Sequence, residues 1–271
     1  MSKDNNSKIA EIIDSASTAV QQNVPQTIKE SDGVLSTVVG FFNNVVLYPV
    51  KKANLTFRYK LEAFEKDLRE KTKHIPNENL QVPPVMIAGP TLEALRYTYD
   101  EAELREMYEN LLASAMDTTK VSKVHPSFVD TIKQMSPLDA KILQEISRYQ
   151  QLKCFRIQFC YEQNGNKLVY TYGMPDYYVI ELNGISDNFN ISSALINLRR
   201  LGVIVITNGT LHDSDYSVIY NDSYYQSRLS QFKAINPTCN AEIENETIEL
   251  DNYGLDFIKV CLKQEGASNA D

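Results

Sequence analysis

No C-x-x-C pair occurs among the four cysteines, and the chain holds only three histidines. Cys154, Cys160, Cys239 and Cys261 with His74, His125 and His212 do not fall at the spacings of a zinc site, so buried, reduced thiols are expected. The G-x-S-x-G, P-loop and G-x-G-x-x-G patterns are missing as well. His212, Asp213 and Asp215 cluster without the spaced His and carboxylate ligands of a hydrolytic metal, which reads as a solvated turn. No enzymatic activity, metal or cofactor is therefore expected. Positive charge is also short: 27 Lys and Arg against 35 Asp and Glu give a net charge of -8, which argues against a surface built to grip a phosphate backbone. The start of the chain lacks the charged, apolar and small-residue order of a signal peptide, so a cytoplasmic protein is expected.

What is present suffices for real cores. Hydrophobic residues make up 43% of 271 positions, enough for one large or two modest domains. Apolar residues recur at helical spacing from Ile9 to Gln22. From Gly33 to Val50 no residue is charged, and Val34, Leu35, Val38, Val39, Phe41, Phe42, Val45 and Val46 are apolar. Pro49 ends this run, and a net-basic amphipathic stretch follows from Lys51 and Lys52 through Arg58 to Lys73. Such a pair can lie on an anionic membrane, with Phe41, Phe42, Val45 and Val46 inserting and Lys51, Lys52 and Arg58 meeting headgroups. The competing reading is a central bundle helix, apolar because neighbours surround it. A further helical region opens at Val82, and Gly89-Pro90 predicts a kink or a fresh start there.

Punctuation is clearest between residues 100 and 149. Leu104, Met107, Tyr108, Leu111, Leu112 and Ala115 mark one buried helical face that ends at Asp117. His125-Pro126 starts another helix, and Phe128, Val129, Ile132 and Met135 supply its stripe. Ser136-Pro137-Leu138-Asp139 is a helix start in miniature, with a serine cap, proline at the first position and an acid at the third.

Leu111-Leu112-Ala113-Ser114-Ala115-Met116, His125-Pro126-Ser127-Phe128 and Ser136 through Leu143 resemble the signature of the Abi-alpha (abortive infection alpha) family of bacterial proteins. Weaker resemblance extends to Gly33–Phe57, Val82–Leu95, Asn197–Gly202 and Leu250–Cys261. It implies a role in defence against bacteriophage by harming or arresting the infected cell. It carries over no catalytic residues.

After Gln150 the period changes. Lys153 to Tyr161 and Leu168 to Tyr172 predict strands joined across Asn164-Gly165. Ile191 to Leu201 predicts a helix closed by Gly202, Val203 to Thr207 and Thr247 to Leu250 predict strands, and Leu255 to Leu262 a last strand or closing helix. The fold class expected is α+β, with a helical bundle over residues 1–135 and a winged-helix-like α/β module over residues 136–271. A winged helix can read DNA, and Asn197, Arg199 and Arg200 are its candidates here. Glu242, Glu244, Glu246 and Glu249 on the expected wing oppose that use, and nucleic acid is the disfavoured partner. The tyrosine-rich stretch at Tyr216, Tyr220, Tyr224 and Tyr225 suits strand pairing or an interface. The leading expectation is a non-enzymatic anti-phage effector or regulator with peripheral contact to the inner membrane and a protein or phage component as partner. A soluble interaction or immunity protein and a homo-oligomer remain open.

Overall fold

Apolar stripes at helical spacing in the first half and β-branched or aromatic runs in the second divide the chain, and the architecture follows that division. The computed structural model describes residues 30–42, 55–149, 151–170, 172–211 and 214–262. It is a mixed α+β fold in two compact units, one of residues 1–133 with 259–271 and the other of residues 134–258.

In the first unit α1 spans Glu30–Phe42, α2 Leu55–Thr72, α3 Val85–Thr98, α4 Ala102–Ala115 and α5 Ser127–Lys133. The long helix α4 is the hub, packing on α2, α3 and α5. Its stripe of Leu104, Met107, Tyr108, Leu111 and Leu112 is buried as its spacing requires, each side chain contributing about 1.5–3 kcal/mol of apolar transfer. The carbonyls left over at its C-terminus find donors in the loop before α3: Gln81 gives its amide N–H to Met116 (2.8 Å) and its side-chain amide to Ala115 (3.1 Å). Phe64 and Leu68 of α2 and Leu35 and Val38 of α1 are fully covered. Of the kink or fresh start expected at Pro90 the fresh start does not occur, because α3 runs through it as one helix. Proline removes only the bond to the Met86 carbonyl, and Met86 lies on an exposed face (63%) where water can take that bond.

The second unit holds α6 (Pro137–Ile146), α7 (Asn188–Arg200), α8 (Ser223–Ile235) and a sheet of β1 (Gln151–Gln163), β2 (Asn166–Val169), β3 (Ile204–Asn208) and β4 (Asn240–Leu250). The strand order is β2-β1-β4-β3, antiparallel throughout. Ser136 caps α6 as expected: its hydroxyl accepts from the Asp139 N–H (3.1 Å), and the Asp139 carboxylate accepts from the Ser136 N–H (2.6 Å). Asn164 (φ 53°) and Gly165 (φ 76°) both take the left-handed conformation that a two-residue hairpin turn needs. The last segment is a helix, α9 (Asn252–Cys261), and not a strand.

The tyrosine-rich stretch forms a short 3-10 helix, Ser217–Asn221, and the start of helix α8, which is capped by Asp222, whose carboxylate accepts from the Tyr225 N–H at 2.8 Å. Tyr225 is buried, with Leu229 and Phe232 partly so, four and seven residues on along one face. They pack against Phe155, Ile157 and Phe159 of β1, together with Tyr178 and Tyr216.

Candidate functional site

The residues proposed for membrane insertion are only partly placed. Phe41 and Phe42 end α1 and Arg58 lies in α2, but their side chains fall outside the described residues, as do Val45, Val46, Lys51 and Lys52 altogether. One face of α1 is covered: Leu35, Thr37 and Val38 are buried, Val34 and Val39 are half-buried and Ser36 is exposed, and the hydroxyls of Ser36 and Thr37 bond back to the Gly33 carbonyl at 3.0 and 2.9 Å. The basic charges of α2 are largely spent internally, Lys60 on Asp100 (2.8 Å) and Arg69 on Glu65 (3.3 Å). Among the described residues no helix is long and apolar enough to cross a membrane.

Asn197, Arg199 and Arg200 are brought together by α7, but with protein partners. Asn197 donates to the Gln134 carbonyl and the buried Asp139 carboxylate, both at 3.0 Å, and accepts from Arg200 at 2.8 and 3.1 Å. Arg200 also reaches the Gln134 side chain (3.1 Å). This network ties the end of α7 to the start of α6. His125 accepts the Ser127 N–H at Nδ1 (3.1 Å), which explains it as a helix-start cap. His212 and Asp213 lie outside the described residues, and Asp215 accepts the Ser217 N–H (2.7 Å), a turn contact. Among the described residues no group of His, Cys, Asp and Glu is placed to hold a metal. Burial pushes the Cys154 thiol up to about 12 and the Cys261 thiol well above its ordinary value, so neither is a nucleophile at neutral pH.

Two cavities carry chemistry that sequence reasoning missed. The first, about 750 Å³, lies within the first unit between α2, α4 and residues 259–262. Its wall holds Glu109, only 3% exposed. The carboxylate stands 3.9 Å from Lys71 Nζ and 3.7 Å from Arg105 Nε, and its Oε1 has no hydrogen-bond partner. Lys71 is itself shared, donating to Asn110 Oδ1 (2.7 Å) and lying 3.6 Å from Glu106. Desolvation raises the Glu109 carboxyl to about 7, helped by the neighbouring Asp67 charge and opposed by Lys71 and Arg105. A carboxyl with these properties exchanges a proton near neutral pH.

The second cavity, about 520 Å³, lies within the second unit between β1, residues 169–170 and 174–177, and α7. Arg156 of β1 and Arg199 of α7 meet there over Tyr177. The Tyr177 oxygen accepts from Arg199 Nη1 at 2.6 Å and from Arg156 Nη2 at 3.3 Å, and the Arg156 guanidinium lies 5.3 Å over the tyrosine ring. Tyr177 is held by its backbone N–H, which donates to Ser192 Oγ of α7 (3.0 Å). On β4 the buried Glu246 pairs with Arg156 at 3.1 Å. The one signal in the sequence for either site was a charged residue beside a buried stripe: Glu109 precedes the buried Leu112 and Ala113 by three and four residues.

A family model described as abortive infection alpha matches residues 56–261 of the chain. No curated protein matches it. Among solved structures, an uncharacterized protein from the hydrocarbon-degrading marine bacterium Alcanivorax borkumensis SK2 is similar at 16% identity and a TM-score of 0.30, over 54% of this chain and 96% of its own.

Proposed function

The chain belongs to the abortive infection alpha family, and from that premise we propose that it is a non-enzymatic effector of bacterial defence against phage. The family match over residues 56–261 carries this reading. In it, the helical unit is a bundle that holds α1 covered at rest, and release of α1 lets the uncharged run from Gly33 to Val50 meet an anionic membrane. The burial of Leu35 and Val38 supports a covered resting state, since an apolar helix already packed must leave its neighbours before it can insert. The second unit acts as a winged-helix-like module for a protein or phage partner, a reading supported by the packing of α6 on α7 and the pairing of β3 with β4.

The alternative, DNA contact through Asn197, Arg199 and Arg200, would have to break the bonds that hold those side chains to Gln134, Asp139 and Tyr177. Glu242, Glu244 and Glu249 of β4 add negative charge to the same unit. No observation favours it.

Phage challenge tests the role. Cells expressing the protein should survive as a population at low phage-to-cell ratio and collapse at high ratio; equal lysis with and without the gene at both ratios refutes it. Flotation with anionic vesicles tests the membrane step. Leu68→Asp, which places a charge at a fully covered site of α2, a helix that packs on α1, should raise vesicle binding over the wild type. No binding by either protein removes the membrane step and leaves the interaction reading.

A further inference from the structure

We propose that the cavity of the second unit binds a small molecule that presents one carboxylate on an apolar body, held by Arg199, Arg156 and Tyr177.

The argument begins with a donor that lacks an acceptor. Tyr177 Oη accepts from both guanidinium groups, at 2.6 and 3.3 Å, so its own hydroxyl proton points away from them. Among the described residues that proton is donated to no acceptor. A buried donor left unmade costs about 1–3 kcal/mol, so a site that retains one gains when an acceptor arrives.

Charge points the same way. Arg156 is compensated by Glu246 at 3.1 Å, whereas no carboxylate among the described residues pairs with Arg199 within 4.0 Å. Arg199 is thus left for a ligand, and one anionic group can pair with it. Asp176, on the cavity wall, already offsets part of the positive charge, so a monoanionic carboxylate fits better than a dianionic phosphate ester. The planar fork of arginine matches a carboxylate in two parallel bonds, which adds direction to the attraction.

Of the remaining lining residues Gln158 is polar, while Val169 (46% exposed), Tyr170, Pro175 and Ile196 (42%) offer apolar surface. About 520 Å³ is ample for a bicyclic or medium-chain acid. The guanidinium pair would then fix one end of such a ligand while Val169, Tyr170 and Ile196 close over its body. This inference concerns a ligand of the second unit and stands apart from the membrane step.

The test uses the full-length protein, with 2-naphthoate as probe, 2-naphthylmethanol as its neutral isostere and 2-naphthyl phosphate as the doubly charged analogue. In titrations followed by amide chemical shifts, 2-naphthoate should bind saturably, with shifts at Tyr177 and along α7. The neutral isostere should bind at least about tenfold more weakly, the value of one charge-assisted pair. The phosphate should bind no more tightly than the carboxylate. Arg199→Leu should abolish most of the affinity and Arg199→Lys restore part of it, while Tyr177→Phe, which removes one donor, should weaken binding several-fold. If Arg199→Leu does not fold, the isostere comparison on the wild type decides alone. The proposal is overturned by an absence of saturable 2-naphthoate binding in the millimolar range, by equal binding of the neutral isostere, by tighter binding of the phosphate, or by Arg199 variants that bind as the wild type does.

Discussion

Glu109→Gln isolates the buried carboxyl of α4. The ordinary glutamate value is 4.5, and desolvation in the first unit lifts this group to about 7. Below 4.5 the carboxyl is protonated in both folded and unfolded chains, and its burial imposes no charge penalty. Between the two values the unfolded chain releases its proton while the folded chain keeps it, so stability falls as pH rises. Above about 7 the penalty is complete. At about 1.36 kcal/mol per pH unit, ionised Glu109 costs the fold on the order of 3 kcal/mol, an upper figure because water reaches the cavity. Glutamine has the same shape and no charge to desolvate. It also lacks the attraction to Lys71 and Arg105, which are 3.9 and 3.7 Å away and whose opposition is already contained in the value of about 7. The stability of the variant relative to the wild type should therefore rise by roughly 2–3 kcal/mol between pH 5 and pH 8.5. Urea unfolding at the two pH values measures it, with tyrosine emission as the signal because the chain has 16 tyrosines and no tryptophan. A carbon-detected NMR titration of the Glu109 carboxyl gives the same quantity directly. A relative stability that is flat or falls with pH, or a carboxyl that titrates near 4.5, refutes the reasoning.

Two further substitutions probe local devices in the second unit. Ser136→Ala removes the acceptor for the Asp139 N–H and should lower stability by about 1 kcal/mol in the same unfolding assay, whereas Ser136→Asn should recover most of it. Gly254→Ala would place a methyl carbon 1.9 Å from the Val203 carbonyl oxygen, a contact only a backbone shift can relieve. It should cost about 1–3 kcal/mol and displace the amide signals of Val203 and Ile204; an unchanged spectrum would show that the approach is not close in solution.

The parts of the fold that were legible are those specified by residues close together in the chain. The cap of α6 needs only Ser136 and Asp139, the β1–β2 hairpin only Asn164 and Gly165, and the buried face of α4 only a repeat within fourteen residues. Helix α8 was not legible in the same way. Its face of Tyr225, Leu229 and Phe232 is short, and Tyr224 and Tyr225 at its start carry strand propensity, so tertiary packing on β1 decides what local preference leaves balanced. At Pro90, read as a kink or a fresh start, the helix continues, because one lost hydrogen bond on an exposed face is cheaper than unpacking Ile87, Leu92 and Leu95.

Both cavities lie beyond sequence reasoning because each is assembled from segments far apart, Lys71 with Glu109 in one and Arg156, Tyr177 and Arg199 in the other. Their chemistry separates them. In the first, the cations near Glu109 are opposed, Lys71 by Glu106 and Glu109, Arg105 by Glu109, while Asp67 adds negative charge, so a proton relieves the imbalance and its natural readout is pH. In the second, Glu246 answers only one of two arginines, and the phenol between them has already used its oxygen as an acceptor. A proton cannot correct that imbalance, since arginine does not release one in the physiological range. An acceptor carrying negative charge can. Stability against pH therefore interrogates the first cavity and ligand titration the second, and an outcome in one assay leaves the other untouched.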